Sequence, residues 1–152
     1  MPKEDYLLKY LEKLSRVIAA MLGLRDKGFP EDALRLADET YKEMLGFDVE
    51  ELAIMPVEKF VELVRKHGYT SSHLEIMARL AHETANAMNT RTDNENSNSF
   101  YEKTLQLYYL LNEKDKTFSF EREMIIDELN KKESPLLIID EASKLSPNAL
   151  MY

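Results

Sequence analysis

The chain contains no cysteine, which excludes disulfides, thiolate metal sites and cysteine nucleophiles and fits a reducing compartment. Glycine and proline are scarce, at 4 and 5 residues, and most of them stand at apparent helix ends. Basic residues are outnumbered: 20 Lys and Arg against 28 Asp and Glu give a net charge of −8, with no Lys/Arg run longer than two. That balance argues against nonspecific binding to nucleic acid or to an anionic membrane. No uninterrupted apolar run approaches the length of a membrane span. The N-terminal stretch MPKEDYLLKYLEKL alternates charged and apolar residues and lacks the continuous apolar centre of a signal peptide. These absences lead to the expectation of a cytoplasmic protein with neither a nucleic-acid nor a membrane partner.

What is present is helical periodicity, in a chain of 152 residues, enough for one domain with a real core. The best-marked stretch runs from Arg16 to Leu45 and reads as two amphipathic helices folded back on each other at Lys27-Gly28-Phe29-Pro30. Gly28 can end the first helix in the left-handed conformation, and Pro30 suits the first turn of the second. Leu7, Leu11, Leu14, Ile18, Met21 and Leu22 recur at helical steps on the first helix, about Glu4 to Lys27. Ala33, Leu34, Ala37 and Tyr41 form the inner face of the second, about Pro30 to Leu45. Small residues on both sides of the turn (Ala19, Ala20 and Gly23, then Ala33 and Ala37) predict close approach of the two helices.

Downstream, Asp48 with Glu51 predicts a capped short helix interrupted by Pro56, and Pro56 opens another that ends at Gly68. Ser72 with Glu75, and Ser99 with Glu102, match the Ser-x-x-Glu capping pattern and predict two further helix starts. Between those helices, Asn89 to Asn98 has no apolar residue and is expected as an exposed loop. The helix behind Ser99 carries Phe100, Tyr101, Leu105, Leu107, Tyr108, Tyr109, Leu110 and Leu111 in several directions, predicting the most enclosed helix. Ser119 opens a last helix to about Lys131, with Phe120, Met124, Ile125 and Leu129 inward. The run Leu136 to Ile139 that follows permits either a short helix or a docked tail. The expected organisation is therefore all-α, six to eight helices without a sheet: a helical domain over residues 1–132, with the polar loop near 89–98, and a C-terminal segment over residues 133–152.

Ala20, Met21, Leu24, Gly28, Ala33, Ala37 and Leu45 together resemble the tetratricopeptide repeat, a helix pair of about 34 residues. A degenerate second copy lies between His73 and Leu111, with Ala81 and Ala85 in one helix and Tyr101, Leu105 and Tyr108 in the next. The pattern Leu22-Gly23-Leu24, Gly28, Ala33-Leu34, Leu45-Gly46-Phe47-Asp48 and Leu52 is also similar to a group of small, uncharacterised bacterial tetratricopeptide-like proteins. The resemblance implies antiparallel hairpins stacked in a right-handed superhelix that hold a peptide or a partner helix in a groove. It would place Ser15, Ile18, Leu22 and Arg25 on the groove side of the first helix. The Lys and Asn pair with which chaperone-binding members clamp a terminal carboxylate has no counterpart here. The resemblance implies no activity.

The residues themselves offer little catalytic chemistry. His82-Glu83-Thr84-Ala85-Asn86 comes nearest to a zinc-protease motif, but Asn86 stands where the second histidine is needed one turn on. His67, His73 and His82 read as ordinary surface or core residues, and no glycine-flanked serine elbow exists. Carboxylates are plentiful but mostly have a basic neighbour on the same helix, as in Glu39/Lys42 and Glu62/Lys66. The tyrosine-rich helix reads first as core, with one edge of Tyr101 and Tyr108 available to a groove or interface. The sequence therefore predicts a noncatalytic scaffold or adaptor, without metal or cofactor, that binds a protein or peptide through Ser15, Ile18, Leu22, Arg25, Tyr101 and Tyr108. Two alternatives remain: a ligand-binding or enzymatic helical domain using the tyrosine-rich helix over 100–112 with His82, and a self-associating subunit in a homo-oligomer.

Overall fold

The structure, a computed structural model, describes residues 3–133, and among these all regular structure is helical. The chain forms α1 (Lys3–Asp26), α2 (Pro30–Leu45), α3 (Val49–Ile54), α4 (Val57–His67), α5 (Ser71–Thr90), α6 (Asn94–Lys114) and α7 (Phe120–Glu133). Its contacts divide it into two compact units, Met1–Thr117 and Phe118–Tyr152. The expectations for the run Leu136 to Ile139 fall outside the described residues.

The α1–α2 hairpin turns where its sequence predicts. Gly28 adopts φ +89°, and the amides of Gly28 and Phe29 close the end of α1 on the carbonyls of Arg25 (3.0 Å) and Leu24 (2.8 Å). Gly46 ends α2 in the same way, at φ +83°, with its amide on Tyr41 and Lys42. Asp48 then makes a complete capping box: its carboxylate accepts from the Glu51 amide at 2.8 Å, and Glu51 accepts from the Asp48 amide at 2.9 Å. Asp38 also accepts from the Val49 amide at 2.8 Å, which ties α3 to α2.

The first unit is organised around α5, which packs against α1, α2 and α6, while α3 and α4 lie on α6. Ala78, Ala81, Ala85 and Ala87 of α5 are completely buried. Short side chains on several faces let three helices approach one axis at once. Tyr10 meets His73 and Arg25 meets Glu83, so α1 runs parallel to α5. Tyr69 donates to the Met44 carbonyl just before α5, and Arg91 binds Glu31 just after it, so α2 runs antiparallel to α5. At the centre, the buried hydroxyl of Tyr41 is 3.2 Å from that of Thr84. Burial pushes the Tyr41 hydroxyl far above its usual ionisation range.

Several expectations are corrected. Ala19, Ala20 and Gly23 are exposed and take no part in the packing, while Ala33 and Ala37 of α2 are fully buried. The helix start expected at Ser72 is capped by Thr70, whose side chain accepts from the His73 amide at 3.2 Å. Enclosure is shared between α5 and α6 rather than concentrated in α6. On α7, Ile126 and Leu129 are buried, but Phe120 and Met124 are 69% and 56% exposed; the covered stripe begins at Arg122 and recurs at steps of four and three.

The largest correction concerns the polar stretch Asn89 to Asn98. It is not a loop: α5 continues to Thr90 and α6 begins at Asn94, leaving a turn of Arg91, Thr92 and Asp93. Asp93 caps α6 in place of Ser99, and Ser97 is buried. Arg91 holds the turn closed by binding Glu31 of α2 (3.1 Å), Glu50 of α3 (3.3 Å) and Asp93 (2.8 Å). Thr92 sits at φ +61°, an unfavourable conformation for a β-branched residue, beside this clasp. Burial works against the Arg91 charge, but the bonds to Asp93, Glu31 and Glu50 more than offset it and raise its pKa. A lack of apolar residues does not prevent helix here, because the first turn of a helix needs caps and ion pairs more than burial.

Ala33→Leu should overpack the α1–α2 hairpin and cost about 1–3 kcal/mol, read as a lower denaturation midpoint; an unchanged midpoint would place Ala33 elsewhere. Limited trypsin digestion should spare the bond after Arg91 in its early stages, and Arg91→Gln should cost about 1 kcal/mol and speed cleavage nearby. Early cutting after Arg91 in the native protein would mean that the clasp does not form.

Candidate functional site

Four of the residues predicted to bind a partner lie along α1. Ser15 is exposed, Ile18 is half-buried, Leu22 is 42% exposed, and Arg25 points into the helix packing. Their spacing of three and four residues sets them on one flank. Leu8, 57% exposed, and Ala19 continue that flank toward the helix N-terminus and around its outer side.

Arg25 reaches α5 and makes a two-pronged ion pair with Glu83: its Nε donates at 2.5 Å to one carboxylate oxygen and an Nη at 3.2 Å to the other. The Arg25 side chain is 23% exposed and that of Glu83 only 8%. The hydrogen bond to Glu83 is the main reason the Arg25 pKa is raised, working against burial. Tyr101 of α6 joins the same neighbourhood. Its hydroxyl donates to Asn86 Oδ1 at 2.6 Å, and its ring meets His82 edge-on with centroids 6.1 Å apart. The structure therefore brings Arg25 and Tyr101 together through α5. Tyr108 lies two helical turns beyond Tyr101 on α6 and is buried.

The polar contacts of this constellation link α1, α5 and α6 to one another. Glu83 is already engaged by the Arg25 guanidinium, and Asn86 Oδ1 accepts the hydrogen bond of the Tyr101 hydroxyl. Among the described residues no group of three or more His, Asp and Glu side chains could hold a metal ion. Nor is any described helix long and apolar enough to cross a membrane. A cleft of about 310 Å³ lies elsewhere, between α4, the start of α5 and the end of α6. Its floor is Val64, Leu74 and Leu110, and its rim carries the Arg65–Glu113 ion pair.

A buried charge on α6 escaped the sequence reading. Lys103, on the helix expected to be aromatic core, is almost fully buried and donates to the Met55 carbonyl (2.7 Å) and to Ser99 Oγ (2.8 Å). Ser99 in turn donates to the Ala53 carbonyl at 2.6 Å. Together they satisfy the carbonyl end of the short helix α3, where a positive charge also suits the helix dipole. Burial lowers the Lys103 pKa. Ser99 and Lys103 are one turn apart, as any i,i+4 pair is, so the sequence alone carries no sign of a task set by residues some fifty positions earlier.

No family model, curated protein or solved structure matches this chain.

The Arg25–Glu83 pair should show a coupling energy of about 1–3 kcal/mol in a double-mutant cycle of Arg25→Met and Glu83→Gln, measured by chemical denaturation. Additive effects of the two substitutions would mean that the pair does not hold α1 to α5.

Proposed function

We propose that this protein is a noncatalytic helical interaction module, built like a tetratricopeptide array, that holds a peptide or a partner helix along the exposed flank of α1. The observation that carries this reading is apolar exposure on that flank: Leu8 and Leu22 stand 57% and 42% exposed, with Ser15 and Ala19 between them. The solvent-facing side of an amphipathic helix is ordinarily polar. Small residues between two exposed leucines let another backbone approach closely while the leucines supply the area to be buried.

The packing supports the likeness to stacked helix pairs. α1–α2 and α5–α6 are hairpins, their first helices run parallel, and α2 runs antiparallel to α5 between them. In this reading α3 and α4 are an insertion between two repeats, lodged on α6 and pinned there by Lys103. The insertion also explains why the second copy of the repeat is hard to recognise. Arg25, which the resemblance would place in the groove, serves instead to bind the two first helices to each other.

The reading is tested by placing a photoreactive side chain at Leu22, at Ser15 and, as a control, at exposed Lys42 of α2 in extracts of the native cell. Discrete adducts at the first two positions, competed by excess native protein at least tenfold better than by the Leu22→Glu variant, are expected. Equal labelling at Lys42, or no adduct at all, would overturn the proposal. Adducts only with a second copy of this chain would make it a self-associating subunit instead.

A further inference from the structure

His73 sits where α1, α5 and the turn before α5 meet, and its surroundings are unusual for a titratable side chain. The Tyr10 ring of α1 stands edge-on to the imidazole, with centroids 5.2 Å apart. On another side the Tyr69 ring is tilted against it at 4.4 Å, and His67 of α4 stacks on Tyr69 at 5.3 Å. Tyr69 is itself held, since its hydroxyl donates to the Met44 carbonyl at 3.1 Å. Nε2 of His73 is sealed from solvent and has no hydrogen-bond partner among the described residues.

A buried polar atom without a partner costs stability, and the cost depends on its protonation state. A neutral imidazole can leave Nε2 as a bare acceptor among aromatic rings. A protonated one must place a charged N–H there, sealed from solvent and with no oxygen of the described residues to receive it. Among the described residues, no charged group is set against the ring to offset the cost. Burial pushes the Tyr69 hydroxyl above its usual range, which keeps it neutral, and His67 lies beyond Tyr69. Glu75, exposed on α5, is two residues along and therefore on a different side of that helix.

We propose that His73 is a proton-sensitive latch: kept neutral between Tyr10 and Tyr69, it holds the N-terminal half of α1 against the turn before α5, and its protonation releases that contact. Burial lowers the His73 pKa, in keeping with this arrangement. The unfolded or opened state then takes up the proton more readily than the closed state. The stability that His73 contributes is complete above the ordinary histidine pKa of about 6.5 and is lost as pH falls below it through the lowered value. Tyr10 is the only one of these rings that α1 supplies, so its end of the helix should move first. Met21 and Arg25 anchor the other end further along.

The test is a pH titration of the native protein by nuclear magnetic resonance, read together with amide exchange over Leu11 to Leu14. The His73 ring protons should titrate with a midpoint below about 6.5. Over the same range, α1 amide protection should fall about tenfold or more beyond the change in intrinsic exchange. His73→Phe keeps a ring between the two tyrosines but cannot take a proton, so the same acidification should leave its protection unchanged. Tyr10→Leu should open Nε2 to water and move the His73 midpoint toward the ordinary value. A native midpoint at or above 6.5 overturns the proposal, as does equal acid loosening in His73→Phe. Should His73→Phe fail to fold, the native midpoint and the Tyr10→Leu shift decide the matter alone.

Discussion

Everything in the first unit depends on how closely helices can approach α5. An interior helix in contact with three others cannot carry large side chains on every face, because their volumes would force the neighbours apart. Here Ala78, Ala81, Ala85 and Ala87 keep α5 slender, while Leu74, Met77, Leu80 and Met88 fill the spaces between its neighbours. The same constraint explains Ala33 and Ala37 on α2 and the buried Thr84 that meets Tyr41. Interiors built this way tolerate enlargement poorly.

Close packing alone does not choose one arrangement of α1 to α6 in the first unit. Polar contacts between elements distant in sequence supply that choice. Arg25 with Glu83 sets α1 parallel to α5, Arg91 gathers the starts of α2, α3 and α6, and Lys103 fastens the end of α3 to α6. Each of these groups would be costly to leave buried without its partners, which disfavours alternative packings as much as it favours this one. They are structural assignments for residues that might otherwise suggest chemistry, since guanidinium, carboxylate, phenol and buried ammonium all occur within one domain.

The polar interior contrasts with the outer flank of α1, where Leu8 and Leu22 meet water. The two regions are linked, because α1 is held to the body at one end by the Arg25 ion pair and near the other by aromatic contact with His73. The first tie is an ion pair and the second is the contact proposed above to respond to protonation. On the two readings proposed above, recognition and proton binding would meet in this single helix.

Helical class, the α1–α2 hairpin, the αL glycines and the Asp48–Glu51 cap are all local matters, and the sequence by itself determined them. Backbone preferences and hydrogen bonds within a few residues decide such features whatever packs around them. The sequence also set Ser15, Ile18, Leu22 and Arg25 on one flank of α1, since helical spacing alone does so. Only tertiary structure decided that Arg25 turns inward to Glu83 while Leu22 stays exposed, that Ala19, Ala20 and Gly23 face water, and that Asn89 to Asn98 is largely helix. The partners responsible lie far away: Glu83 is 58 residues from Arg25, and Glu31 is 60 from Arg91. Composition registers that a stretch is polar. Whether its charges meet opposite charges from another helix depends on how the chain returns upon itself.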